Sequence, residues 1–206
     1  LENNVIIDNW AGVVGGAIVV HQDRQSSISD NYIAGNRADQ HGGGIYLNET
    51  SATADGNQII ANTARQLGGG LVLLNSSATI SNNLVANNRA NNGGAGIYMA
   101  GSSAHITSNT IADNGRNAGG DGVLLNAGAN PRLMYNVVVG NDHGVRSSGG
   151  QPAQMTRNNI WGNRLTDYAG VPRGDTDLSA DPQWINGPLG KYYLSHQTAG
   201  QQSNSQ

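Results

Sequence analysis

A short pattern, Asn-x-aliphatic-x-x-Asn, recurs seven times, and its spacing constrains the fold more than any other feature of the chain. The copies begin at Asn4, Asn31, Asn57, Asn83, Asn109, Asn136 and Asn158. Their aliphatic residues are Ile6, Ile33, Ile59, Val85, Ile111, Val138 and Ile160, and they close on Asn9, Asn36, Asn62, Asn88, Asn114, Asn141 and Asn163. The starts lie 27, 26, 26, 26, 27 and 22 residues apart. A period of this length is the mark of an array of stacked supersecondary units, each too small to fold alone.

A second element follows the early copies. It is led by glycine and then turns aliphatic: Gly16-Ala17-Ile18-Val19-Val20, Gly43-Gly44-Ile45-Tyr46-Leu47, Gly69-Gly70-Leu71-Val72-Leu73, Ala95-Gly96-Ile97-Tyr98-Met99 and Asp121-Gly122-Val123-Leu124-Leu125. A third apolar position precedes each asparagine pair, at Leu1, Ile28, Ala54, Ile80, Ile106, Leu133 and Met155. These runs have strand length and are bounded by Gly, Asn and Ser, which is turn chemistry rather than helix chemistry. Alternation along a strand turns Ile45 and Leu47 inward and Tyr46 outward.

The fold that satisfies these constraints is all-β: a right-handed parallel β-helix of about seven turns over residues 1–169. A non-repetitive tail, 170–206, is expected to pack on the coil or cap it. Stacked at strand spacing, seven turns make a rod roughly 30 Å long. The leucine-rich repeat shares the period, but its regular Leu-x-x-Leu-x-Leu spacing is missing here. The asparagines Asn31, Asn57, Asn83, Asn109 and Asn136, with Asn36, Asn62, Asn88, Asn114 and Asn141, are expected to form a structural ladder. Each amide can satisfy half-buried backbone groups, bond its equivalents above and below, and accept left-handed backbone geometry.

Composition narrows the function classes. Net charge is −3 with a single lysine, Lys191, so no strong electrostatic footprint for nucleic acid is expected. Cys is absent, which removes disulfides, zinc-thiolate sites and cysteine nucleophiles. The longest apolar stretch, Gly12 to Val20, is too short for a membrane span. No signal peptide is visible and the first residue is Leu1, which suggests a piece trimmed from something longer.

The motifs Asn-x-Ile-x-x-Asn, Gly-Gly-Gly-Ile-Tyr-Leu and Asn-Ser-Ser-Ala-Thr-Ile together resemble bacterial secreted right-handed β-helix proteins of the pectate-lyase-like superfamily, in its surface-protein branch. The likeness covers about residues 1–165. It continues in Ala180-Asp-Pro-Gln-Trp184 and Gly187 to Ser195, which look like the closing segment of many such chains. The resemblance implies an extracellular or cell-surface location. It does not imply one activity, because the superfamily holds lyases, hydrolases, epimerases, phage tailspikes and adhesins.

Enzymes of that superfamily generally place carboxylates on an outer face of the coil. The outward positions beside the glycine-led strands are Val19, Tyr46, Val72, Tyr98 and Leu124 and, two residues on, His21, Asn48, Leu74, Ala100 and Asn126. They include no carboxylate, arginine or lysine, so a paired-carboxylate mechanism has no groups on that strip. Tyr46 and Tyr98 can stack on sugar rings, with His21, Asn48 and Asn126 as polar neighbours. The plainer reading is that the tyrosines cover the sheet or pack under a loop or a neighbouring molecule. Charges gather instead in the loops after each second asparagine, where Asp142-His143 is the most enzyme-like pair; a solvated corner is its plainer reading. Asp175, Asp177 and Asp181 alternate in a loop and are weak calcium candidates, without the Gly and terminal Glu of an EF-hand loop. His21, His41 and His105 fall in different columns, so no metal cluster and no cofactor is expected.

Leu1 is expected to occupy a core column at an open end of the coil, a site for association with another copy. Trp184, Tyr192, Tyr193 and Leu194 are expected to cover the far end or one side. The leading expectation is a non-catalytic extracellular or cell-surface module, a scaffold or adhesin contacting polysaccharide or copies of itself. The alternatives are a lyase or epimerase on acidic glycans, with its site in the charged loops or in missing turns, and a trimeric phage-type spike.

Overall fold

The computed structural model describes residues 1–115, 120–149, 154–187 and 190–194. Its described residues form a parallel β-solenoid with no helix, followed by a short antiparallel hairpin.

The passes of the coil lay short strands on four faces, each strand paired in parallel with its counterpart one period away. The asparagine-flanked face holds seven strands, Val5–Ile7, Tyr32–Ala34, Gln58–Ile60, Leu84–Ala86, Thr110–Ala112, Val137–Val139 and Asn159–Trp161. The glycine-led face also holds seven, from Ile18–His21 to Thr166–Ala169. A third face of six strands runs from Ser27–Ser29 to Gln154–Thr156, and a short face has four two-residue strands from Trp10–Ala11 to Arg89–Ala90. Seven stacked strands enclose about six full turns, one fewer than a count of motifs suggests. The 22-residue period arises where the short face is left out: Asn141 is followed almost at once by the strand His143–Ser147.

The register stacks like on like. Ile45, Leu71, Ile97, Val123 and Val145 form one inward column, and Leu47, Leu73, Met99 and Leu125 form another. With Ile28, Ala54, Ile80, Ile106, Leu133 and with Ile33, Ile59, Val85, Ile111, Val138 they make one continuous buried core. Leu1 is a correction: it is 56% exposed, because it lies at the first pass and its main chain bonds only to the pass that follows.

The corners use left-handed backbone, one residue earlier than expected. None of the fourteen motif asparagines has a positive φ; the residue immediately before each of them does, as in Asp30, Gly56, Ala61, Asn82 and Asn87. Asn, Asp and Gly tolerate this region best, and they fill most of these positions. A third set of such corners, Gln22, Glu49, Asn75 and Gly101, follows the glycine-led strands.

After the last full pass the chain stays on the stack. Residues near Leu178 pair with Asn159 and Ile160, and Val171 joins the core at that end. The hairpin, Trp184–Gly187 with Gly190–Leu194, then returns along the asparagine-flanked face. Of the tail expected from residue 170 onward, residues 195–206 lie outside the described residues.

Candidate functional site

The polar interior of the corners is assembled first, because it engages most of the side chains with chemical potential. Within each ladder, Oδ1 of one asparagine accepts both the backbone N–H and the side-chain amide of its equivalent one pass earlier. Asn57, for example, donates to Asn83 Oδ1 from its backbone nitrogen and from Nδ2, both at 2.9 Å. Its Nδ2 also donates to the Ile28 carbonyl at 2.8 Å. The same arrangement runs from Asn9 and Asn36 through Asn62, Asn88 and Asn114 to Asn141. A third, shorter ladder escaped the sequence reading. Thr50 N–H donates to Ser76 Oγ at 3.3 Å, and Ser76 N–H to Ser102 Oγ at 3.1 Å. Its signal was the recurrence of Ser76-Ser77 and Ser102-Ser103 at the period of the coil.

Both long ladders end on an aspartate. Asp177 Oδ1 accepts the Asn158 backbone and side-chain amides, and Asp167 Oδ1 accepts the equivalent pair from Asn163. Asp177 Oδ2 takes Gly174 N–H and the Tyr168 hydroxyl, and burial first, then the Asp177 charge, pushes the Tyr168 phenol well above its ordinary range. The structure does not bring the three calcium candidates together. Asp177 is buried at the end of the coil, Asp175 is exposed, and Asp181 accepts the Gln183 N–H. Among the described residues no three His, Cys, Asp or Glu side chains are placed to share a metal.

On the glycine-led face, Tyr46, Val72, Tyr98 and Leu124 stack in register on the outer side. Tyr98 is 6% exposed and packs with Val72 and Leu124; Leu67 and the half-buried Tyr46 adjoin them. Its hydroxyl accepts a bond from Asn126 Nδ2 at 2.9 Å. His21 and Asn48 sit in the neighbouring column, 3.0 Å apart, away from Asn126. The five-position strip read from sequence stopped at Leu124. The next position in register is Arg146, whose Nε and Nη2 clamp Asp121 at 2.6 and 2.7 Å. The far part of this face therefore does carry an arginine and a carboxylate. The hydrogen bonds it donates to Asp121 hold the Arg146 guanidinium above its usual pKa.

Asp142 corrects the picture of a solvated corner: it is 4% exposed. Arg164 Nε donates to its Oδ1 at 2.7 Å, and Gly120 N–H reaches its Oδ2 at 3.4 Å. His143 pairs through its main chain with Asp121 and Thr166, and its Nδ1 is buried without a partner among the described residues. Asp142 and His143 are thus neighbours in sequence, with the Asp142 carboxylate held by Arg164 and the His143 Nδ1 unpartnered among the described residues.

Two depressions lie among the described residues at these faces. One, of about 550 Å³, follows the corner of Gln22, Glu49 and Asn75, with Arg24, Thr50, Ser51 and Ser77. The other, of about 190 Å³, lies between the hairpin and the asparagine-flanked face. The hairpin is held there by Asp113, whose Oδ2 accepts the Tyr192 hydroxyl at 2.6 Å and Lys191 Nζ at 2.9 Å. Trp184 meets the Tyr192 ring edge-on at 5.7 Å. Trp184 and Tyr192 thus cover one side of the coil, while Ile185 and Leu194 are exposed and the far end is closed by Val171 and Asp177.

Residues 1–175 match the family described as periplasmic copper-binding protein (NosD). No curated protein matches the chain, and no solved structure does. The match spans the whole coil and ends near the aspartate that closes its first ladder. The chain belongs to the NosD family, a right-handed parallel β-helix family of the pectate-lyase-like superfamily.

Proposed function

We propose that this chain is a non-catalytic β-helix module of the cell envelope, a rigid scaffold whose outer faces contact polysaccharide or other copies of the chain. The periplasmic description of the family supports the location. No helix among the described residues is long and apolar enough to cross a membrane. The observation that carries the reading is the engagement of the candidate acids. Asp142 holds Arg164, Asp121 holds Arg146, and Asp167 and Asp177 end the ladders. General acid–base work needs a carboxyl group directed at a substrate, and these are directed at the coil itself.

The family description names copper, against the expectation of no cofactor. The donors on the described residues do not fit that ion. Copper favours His, Met and Cys ligands. Cys is absent, Met99 and Met155 are in the core, Met134 stands half-buried on the third face in register with Thr107, and His21, His41, His105 and His143 stand on separate strands and corners. His196 lies outside the described residues.

One observation favours a second reading, a lyase or epimerase on acidic glycans. The Asp121–Arg146 pair and the unpartnered His143 nitrogen lie in adjoining strands of one face. Incubation with pectin, alginate and related uronic-acid polymers in the presence of calcium separates the two. The scaffold reading expects no absorbance from unsaturated products. Turnover that disappears in Asp142→Ala or His143→Ala would overturn it. A trimer in sedimentation would instead support a spike.

A further inference from the structure

The crevice under the terminal hairpin has the chemistry of a sugar site. Its floor is a column of outward side chains in strict register, Gln58, Leu84 and Thr110, each one pass from the next. Its wall is the hairpin strand carrying Tyr192 and Tyr193. Leu84 and the tyrosine rings supply an apolar patch. Around that patch, the side chains of Gln58, Ser108, Thr110 and Tyr193 have no hydrogen-bond partner among the described residues. An apolar surface ringed by a few unengaged polar groups is the usual make-up of a small-molecule site. A pyranose is matched to it, since one face of the ring is a row of C–H groups and its rim is hydroxyls.

Charge and size narrow the ligand further. Lys191 is bound to Asp113, and Asp55, beside the lining residue Asn82, accepts from Asn82 and Ser81. The crevice therefore offers no unpaired charge to a uronic acid. Its volume of about 190 Å³ suits a single ring and is below that of a typical drug-sized pocket. Tyr32, 41% exposed, continues the floor one pass beyond Gln58. Strand spacing puts the two passes roughly 4.8 Å apart, so an extended chain can lie along the column.

We propose that this crevice binds a neutral pyranose unit of an oligosaccharide, with Tyr193 as its stacking wall, Leu84 and Thr110 as its floor, and Tyr32 as the platform for the next unit. The proposal rests on the polysaccharide-contact reading above and gives it a place on the molecule.

Calorimetric titration of the whole chain with cellohexaose, maltohexaose and mannohexaose tests it, with oligogalacturonate as the acidic comparison. At least one neutral oligosaccharide binds with a millimolar or tighter Kd. Tyr193→Ala and Thr110→Arg, each with an unchanged unfolding midpoint, weaken it about tenfold or more. Ligand-induced NMR shifts at Tyr193 and Thr110 in the unaltered chain provide the same evidence should either variant misfold. Absence of binding by all four oligosaccharides overturns both the site and the polysaccharide reading. Binding that neither variant weakens, with no shifts at Tyr193 or Thr110, overturns the site and leaves that reading in place. Tighter binding of oligogalacturonate overturns the assignment of a neutral ligand.

Discussion

Asp177 Oδ1 accepts two hydrogen bonds from Asn158, one from its backbone N–H at 2.8 Å and one from its side-chain amide at 3.0 Å. An asparagine inside the ladder needs an acceptor from the following pass for its own Nδ2. A carboxylate has no donor to satisfy, so it can end the series without leaving an orphan. Asp167 does the same for Asn163.

Asp177→Ala leaves two donors of the buried Asn158 without an acceptor. Each costs about 1–3 kcal/mol, so a loss of about 2–5 kcal/mol is expected. Asp177→Asn keeps the Oδ1 acceptor and loses less. Urea unfolding of the two variants beside the parent chain measures the difference; equal stabilities would show that Asp177 does not end the ladder.

Mid-ladder, Asn83→Ala removes bonds to the Ala54 carbonyl, to Asn109 and from Asn57, and a loss of about 3 kcal/mol is expected. Asn83→Asp should be worse at neutral pH, because it sets a buried carboxylate against that carbonyl and Asn109 Oδ1. Its deficit should shrink on acidification as the carboxyl takes up a proton. A deficit that is constant from about pH 7 to about pH 4 would contradict this.

Gly70 precedes the strand of Leu71, where the coil closes on itself. A Cβ there meets the Gly96 carbonyl oxygen at 2.7 Å and Asn88 Nδ2 at 3.1 Å. Backbone on both passes must move, so Gly70→Ala is expected to cost about 2–3 kcal/mol or more. Calorimetric melting of this variant should show a clear drop; a melting temperature within error of the parent would disprove the close approach.

Ala61 holds φ at 55° in a corner column whose other members include Gly35, Gly140 and Gly162. The left-handed region costs an alanine about 1–2 kcal/mol, part of which the greater unfolded-state freedom of glycine offsets. Ala61→Gly should therefore stabilise the coil by about 0.5–1 kcal/mol, read as a rise in the denaturation midpoint.

His41 stands between Val14 and Leu67 in a corner column, and its Nδ1 is buried without a partner among the described residues. Burial pushes its pKa below the ordinary 6.5. As pH falls through that value the unfolded chain takes up the proton first, so folding loses free energy with acidification; above it the contribution is complete. His41→Leu should make the fall in stability from about pH 7.5 to about pH 5.5 shallower. An unchanged slope would exclude His41 as its source.

The asparagine positions and the inward columns were legible because the coil repeats every contact. A position that must bury Ile45 must also bury Leu71 and Ile97, so one physical demand is written several times along the chain. The Thr50–Ser76–Ser102 ladder was harder to see, since it uses small hydroxyl side chains common in any loop. Asp177 and the Asp121–Arg146 clamp were not legible, since each occurs once and its partner is chosen by stacking rather than by spacing.

Periodicity alone therefore determined the class of fold, the composition of the core and the sites of the two asparagine ladders, because each pass imposes the same demands on its residues. The tertiary structure alone decided where the repeat stops. It made Asp177 the end stop of a ladder, buried Tyr98, and folded Tyr192 back onto Asp113 across 79 residues of chain. Those outcomes depend on which unique segment reaches which pass of the coil, and a contact made once leaves no period in the sequence.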